Sequence, residues 1–228
     1  MNFKITLKID RRFGDCLPFN YQYEQSAVIY HILAQADKQY SSWLHENGYD
    51  VNGSKRFKLF TYSPFVFNKV RAIPRAGCLN IIGENAIWYI NFIPEKSTTE
   101  FIQGIFANQR FTIGDKEFKV AFDVTGVEAL PSANLSEEMC FKAMSPVCVK
   151  LHEEGKTKFL QPSDPRFALS ILQGLLSRYE SINDKPFELA DNNFSFELTD
   201  NKVKSKLITI KANTPDETRV RGFLCSFR

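Results

Sequence analysis

Phe3-Lys4-Ile5-Thr6-Leu7-Lys8-Ile9 puts four apolar side chains on one side of an extended chain, with Lys4, Thr6 and Lys8 on the other. Successive side chains of a strand point to opposite faces, so this is a strand with one buried face. The period then changes. Pro18 and Asn20 mark a loop. Ile29, Ile32, Leu33, Ala36, Tyr40, Trp43 and Leu44 recur at helical spacing, with a break near Asp37. Asn47-Gly48 closes that helix as a C-terminal cap does. Residues 57–67 and 86–93 return to strand character, the second with Ala86, Trp88, Ile90 and Phe92 alternating against Ile87, Tyr89 and Asn91. Pro94 and the cluster Ser97-Thr98-Thr99-Glu100 open a second helix through about Ala107, and Lys116 to Val127 reads as a closing strand. Strand, helix, strand, strand, helix, strand is the ferredoxin-like split βαβ order.

Pro131 to Glu138 is polar and reads as a linker. The pattern then restarts. Met139 to Leu151 is a strand broken at Ser145-Pro146. Pro165 to Tyr179 is a helix with Phe167, Ile171, Leu172, Leu175 and Leu176 on one face. Residues 194–198, 207–212 and 222–227 are strands. The expected fold class is α+β: two tandem ferredoxin-like domains over 1–130 and 139–228. The second stops after βαββ, with no residues left for its closing helix and strand.

Hydrophobic residues make up 43% and charged residues 24% of the 228, an ordinary globular balance. The 21 phenylalanines fit half-buried pleated faces. Cys16, Cys78, Cys140, Cys148 and Cys225 form no C-x-x-C pair, which points to reduced, buried thiols in a cytoplasmic protein. A zinc site needs closer ligand spacing and more histidines than His31, His45 and His152. No secretory leader opens the chain and no apolar run approaches membrane-spanning length. Charge is uneven. Residues 1–75 carry 11 Lys/Arg against 6 Asp/Glu, 76–200 carry 11 against 18, and 201–228 carry 7 against 2. If the two basic ends meet in space, they form one surface for a polyanion.

The most basic part, around Lys55-Arg56-Phe57-Lys58, lies close in sequence to Tyr30 and His45. Imidazole exchanges protons near neutral pH, a lysine ammonium suits phosphorane oxygens, and a phenol orients reacting groups. Such a trio fits cleavage of RNA, which carries its own 2′-hydroxyl nucleophile and needs alignment and proton transfer rather than an activated water. Each residue also has an ordinary use: a histidine at a helix end interacts with the dipole, a tyrosine packs in a core, and a strand lysine faces solvent. His31 and His152 have no partner motif. The former reads as structural, and the latter precedes a hairpin turn at Glu153-Glu154-Gly155. No histidine–carboxylate cluster suggests a metal.

Leu17-Pro18-Phe19-Asn20-Tyr21-Gln22-Tyr23, Ile29-Tyr30, Leu44-His45-Glu46, Lys58-Leu59-Phe60-Thr61-Tyr62-Ser63, Ser145-Pro146-Val147 and Arg221-Gly222-Phe223 occur in an order that resembles the repeat-processing endoribonucleases of CRISPR systems, the Cas-six family. The resemblance runs through most of the chain. It implies tandem ferredoxin-like folds of the RNA-binding repeat-associated (RAMP) type. It also implies metal-independent cleavage of CRISPR precursor RNA within repeats, with no cofactor, leaving 5′-hydroxyl and 2′,3′-cyclic phosphate ends. By position, His45, Tyr30 and Lys58 match the family's catalytic histidine, tyrosine and lysine. Arg56, Lys69, Arg71 and Arg75, and after them Lys206, Lys211, Arg219 and Arg221, are the expected RNA contacts. The implied partners are repeat RNA, precursor and processed, with other Cas effector subunits and a homodimer as further options and no membrane. The family's glycine-rich loop near the C-terminus has no counterpart before Arg228. A non-catalytic RAMP protein that holds repeat or guide RNA in an effector complex is the alternative, and a regulatory or assembly ferredoxin-like protein without RNA is the third.

Overall fold

A computed structural model describes residues 1–51, 53, 55–189, 194–200, 202–211 and 215–228. Ala212, the last residue of the strand expected at 207–212, lies outside the described residues. The chain divides into two compact units: Met1–Tyr49 with Lys58–Ser132, and Asp50–Phe57 with Ala133–Arg228.

In the first unit, Asn2–Asp10 is a strand, and Phe3, Ile5, Leu7 and Ile9 are each at most 5% exposed, as the alternation requires. It is central. Lys119–Leu130 pairs on one side and Asn85–Phe92 on the other, both antiparallel, so Ile5 sits between Val127 and Trp88. Phe60–Tyr62 extends the sheet beyond Asn85–Phe92. This is the spatial order of a ferredoxin-like sheet. Helices α1 (Gln22–Ala36), α2 (Lys38–Glu46) and α3 (Glu95–Ala107) accompany it. α1 and α3 bury Ile29, Ile32, Leu33, Phe101 and Ile105 in one core with Trp88, Phe92 and Phe122. Burial of that many large apolar side chains, at about 1.5–3 kcal/mol each, is what holds the unit together.

Three details depart from the sequence expectation. Arg110–Gly114 is an added edge strand paired with Lys119–Leu130. Its five residues are too few for periodicity to reveal. The Asp115 carboxylate closes the turn by accepting the Glu117 and Phe118 N–H groups. The strand expected over 57–67 is in pieces, Lys55–Phe57, Phe60–Tyr62 and Val66–Phe67, because Leu59 adopts φ 55° between the first two. A short separate sheet runs in the order Cys16–Pro18, Cys78–Ile81, Val70–Ile73.

The second unit contains α4 (Pro165–Asn183), started by the Asp164 side chain and Pro165. Lys150–Glu153 and Lys156–Phe159 form the expected hairpin, with Glu154 and Gly155 both at positive φ in its turn. Lys204–Ile210 pairs with Thr218–Leu224, and Phe141–Lys142 with Ser226–Phe227. In the stretch expected as a strand at 194–198, Leu198 forms only an isolated bridge with Phe227. The core here is small: Val149, Leu160 and Phe167. All five cysteines are free, but only Cys78 and Cys225 are buried. Cys140 and Cys148 are exposed, which corrects the expectation of uniformly buried thiols. Both lie within the stretch expected as a strand at 139–151, of which only Phe141–Lys142 and the residues from Lys150 on are strand. Among the described residues no helix is long and apolar enough to cross a membrane.

Candidate active site

α1 ends at Asp37, whose extended backbone (φ −141°, ψ 99°) breaks the helix where the sequence period broke. Its carboxylate accepts the Tyr40 N–H at 2.8 Å, starting α2, and pairs with Lys96 at 3.2 Å. These contacts hold the Asp37 carboxyl below the usual carboxylate range, the backbone bond being the main cause. The break folds α2 back on α1, and the Ser41 hydroxyl donates to the Tyr30 carbonyl at 2.7 Å.

This fold-back brings Tyr30 and His45 together. Their ring centroids lie 4.9 Å apart at 86°, an edge-to-face contact. Phe60 meets Tyr30 in the same way at 5.6 Å and 76°. His45 is exposed and Tyr30 half-buried. Burial, and then Tyr62, pushes the Tyr30 phenol up to about 12. A protonated phenol can both donate and accept a hydrogen bond.

The Lys58 ammonium donates to the Leu44 carbonyl at 2.5 Å and the His45 carbonyl at 2.6 Å. The last carbonyls of a helix lack intrahelical partners, and a cation there also meets the negative end of the dipole. Lys58 thus clamps the turn that carries His45 and brings positive charge beside it.

Three buried or half-buried bonds fix the strand after Lys58 to α1. Tyr62 donates to the Gln22 carbonyl at 3.0 Å, the Gln25 amide donates to the Ser63 carbonyl at 3.0 Å, and the Tyr21 hydroxyl accepts the Phe65 N–H at 3.0 Å. Gln25, fully buried, and Phe60 escaped the sequence reading as site supports. The signal was there: Gln25 is a polar residue on the apolar face of α1, in line with Ile29 and Ile32.

The expected RNA contacts are divided between the two units. Lys69, Arg71 and Arg75 are exposed along the edge strand Val70–Ile73 and the 3₁₀ turn after it, in the first unit. Arg56 is exposed on Lys55–Phe57 and belongs to the second unit. So do the other four. The hairpin register sets Arg219 opposite Thr209, Arg221 opposite Leu207 and Lys206 opposite Gly222. Arg219 and Arg221 therefore share one face and Lys206 lies on the other. Lys211 pairs with Asp216 at 3.0 Å, Arg219 with Glu217 at 3.6 Å, and Arg221 donates to the Ser205 hydroxyl at 2.9 Å. His31 and His152 are both exposed. Among the described residues no three His, Cys, Asp or Glu side chains converge as metal ligands would.

The fold has solved counterparts. A structure described as "An RAMP protein binding different RNA substrates" superposes with a TM-score of 0.78 at 22% identity, covering 100% of this chain and 87% of the other. One described as "Characterization of a Cas6-related gene from Pyrococcus furiosus" superposes at 0.79 with 25% identity, covering 100% and 85%. The architecture is thus that of the tandem ferredoxin-like RAMP proteins. Two family profiles narrow it: "CRISPR-associated protein Cas6, N-terminal" matches residues 16–123, and "CRISPR associated protein Cas6, C-terminal" matches 130–228. The chain belongs to the Cas6 family. Among its relatives are "CRISPR-associated endoribonuclease Cas6 1" of Methanocaldococcus jannaschii, 27% identical over 92% of this chain and 76% of the relative. Another is "Putative CRISPR-associated endoribonuclease-like protein Cas6" of Pyrococcus furiosus, 28% identical over 93% and 80%.

Proposed function

We propose that this chain is a metal-independent endoribonuclease that cuts CRISPR precursor RNA within its repeats by attack of the 2′-hydroxyl on the adjacent phosphate. The products are a 5′-hydroxyl and a 2′,3′-cyclic phosphate. The observation that carries this reading is the exposed His45 ring, set edge-on against Tyr30 at 4.9 Å on a helix end clamped by Lys58.

The roles follow from the chemistry of the three groups. His45 moves the proton, because the Tyr30 phenol, pushed up to about 12, holds its own. Tyr30 orients the imidazole and hydrogen-bonds the reacting groups. Lys58 fixes the turn and adds the cation that favours charge on the phosphorane. Holding the ribose and phosphate in line supplies much of the remaining acceleration, up to roughly 7–11 kcal/mol for ideal positioning. The exposed cations Arg56, Lys69, Arg71, Arg75, Lys206, Lys211, Arg219 and Arg221 serve the RNA backbone, giving salt-dependent affinity with little sequence preference. In this reading residues 1–130 form the catalytic domain and 139–228 the second RNA-holding domain. The names of relatives, CRISPR-associated endoribonucleases, support RNA cleavage as the activity.

The test is His45→Ala on labelled repeat RNA in excess EDTA. Cleavage falls about 10²-fold or more, the scale of a lost acid–base group, while binding persists. A 2′-deoxy nucleotide before the cut blocks the reaction. Full activity of the variant, or product from the deoxy substrate, removes the mechanism. Engagement of the Lys58 ammonium by two carbonyls favours one alternative, a non-catalytic RAMP protein that holds RNA in an effector complex. Tight, salt-sensitive binding with no cleavage by the unaltered protein selects it.

A further inference from the structure

Among the described residues, four other than glycine have positive φ: Leu59, Glu154, Asp184 and Lys211. The last three are exposed and stand where a segment reverses or ends. Glu154 lies in the turn between Lys150–Glu153 and Lys156–Phe159, Asp184 ends α4, and Lys211 follows the strand Lys204–Ile210. Leu59 is the exception. It is apolar, 6% exposed, and held at φ 55°. A left-handed backbone brings Cβ close to the following carbonyl oxygen, and leucine has no polar group to offset this with a local hydrogen bond. Such a conformation persists only where the surroundings over-determine it.

Leu59 is held at its own carbonyl and through both neighbours. Its carbonyl accepts the Ile93 N–H at 3.0 Å. After it, Phe60 stands in register with Phe92, and the Phe60 ring lies 5.8 Å from that of Phe92 and 5.6 Å from that of Tyr30. Before it, the Lys58 ammonium donates to the Leu44 and His45 carbonyls at the end of α2. Leu59 is thus the single residue between a strand anchored in the sheet and a lysine anchored on a helix. The strand begins at Phe60. An extended Leu59 would carry Lys58 onward along the line of that strand. The left-handed residue turns the chain aside, and its torsions set the direction in which the Lys58 stem departs.

We propose that Leu59 is a positioning residue: its left-handed backbone aims the Lys58 ammonium at the carbonyl end of α2 and thereby holds the turn that carries His45. The buried side chain anchors the bend, and the bend acts through Lys58. The consequence for cleavage rests on the nuclease reading, whereas the grip of Lys58 on α2 can be measured without RNA. Backbone and side chain can be separated by chemistry. Isoleucine has the same atoms as leucine, but its branch at Cβ opposes positive φ further. Methionine keeps an unbranched Cβ and a similar volume. Glycine adopts positive φ freely and has no side chain to bury.

The test compares Leu59→Ile, Leu59→Met, Lys58→Met and the double variant Leu59→Ile with Lys58→Met, each in the full chain. The carbonyl-carbon NMR resonances of Leu44 and His45 report the hydrogen bonds from Lys58. Leu59→Ile moves them to their Lys58→Met positions, and Leu59→Met leaves them where they are in the unaltered protein. In single-turnover cleavage of repeat RNA at saturating protein, Leu59→Ile is about tenfold slower, within the scale of a small misplacement. Added to Lys58→Met it costs less than about twofold more, because a residue that acts through the ammonium has no effect once the ammonium is gone. Unmoved carbonyl resonances in folded Leu59→Ile overturn the proposal, as does a loss of rate that multiplies in full with that of Lys58→Met. If Leu59→Ile does not fold, Leu59→Gly decides. Resonances kept at their unaltered positions support the backbone role, and resonances at the Lys58→Met positions overturn it. If the unaltered protein does not cleave repeat RNA, the nuclease reading fails and the carbonyl resonances still decide the role of Leu59.

Discussion

Gly104 in α3 and Gly174 in α4 are both glycines inside helices, yet their surroundings are opposite. A Cβ on Gly104 would lie 1.9 Å from the carbonyl oxygen of Ile32 in α1, whereas on Gly174 it would meet only the Arg178 Nη1, at 3.0 Å. The first glycine lets two helix backbones touch. The second leaves a gap in an open helix face. The units around them differ in the same way. Among the described residues the first unit gathers 25 buried hydrophobic side chains into one cluster and the second only three. In α4, Leu169 and Leu175 are more than half exposed. The proposed site, which needs fixed ring and carbonyl distances, lies in the unit whose close packing can hold them, and Tyr30 sits on the same helix that Gly104 allows α3 to approach.

Gly104→Ala tests this contrast most severely. Alanine ordinarily favours a helix by about 1 kcal/mol over glycine, but here the two helices must separate, at a net cost of about 3 kcal/mol. Chemical denaturation measures it. The shift of α1 should also slow RNA cleavage, and a variant of unchanged stability would erase the distinction between the two helices.

A second test uses alkali. Burial pushes the phenols of Tyr21 and Tyr30 up to about 12 and raises Tyr40 and Tyr62 as well, all in the first unit. The unfolded chain releases these protons near pH 10 and the folded chain does not, so stability is complete below about 10 and declines as pH rises toward 12. Denaturation midpoints at pH 8 and pH 11 should fall in that order, with near-ultraviolet signals of the first unit lost at the higher pH. Equal midpoints would mean that these hydroxyls are solvated in the fold.

The smallest effect is expected at Gly174→Ala. Only the far end of the Arg178 side chain, which donates to the Gly174 carbonyl at 2.7 Å, must shift, so the helix gains up to about 1 kcal/mol. Thermal unfolding shows it as a raised midpoint, and a loss would reveal a packed surface over α4.

Much of the first unit was legible from residues alone. The alternation at Phe3–Ile9 and at Ala86–Phe92 located its two central strands, the broken helical period at Asp37 separated α1 from α2, and Asn47-Gly48 marked the end of α2. Those signals are local, because each element's period is set by its own geometry. Arg110–Gly114 and the Val70–Ile73/Cys78–Ile81 pair were invisible, as strands of four or five residues carry too few turns of any pattern. Tyr30, His45 and Lys58 were named from residue chemistry and resemblance. That Lys58 grips the carbonyls of Leu44 and His45 was not, and neither was the clamp of Gln25 on Ser63, because those partners lie 13 to 38 residues apart.

The amino-acid order by itself determined the succession of strands and helices, the apolar face of each, and which side chains can carry protons or positive charge. Folding alone decided which of them meet. A hydrogen bond or ring contact depends on distances of a few ångströms between segments that the chain separates widely, and only packing of the core sets those distances. His45 came against Tyr30 when α2 folded back on α1. The basic residues of the Lys204–Ile210 and Thr218–Leu224 hairpin, adjacent in any reading of charge, were sorted onto two faces by strand register.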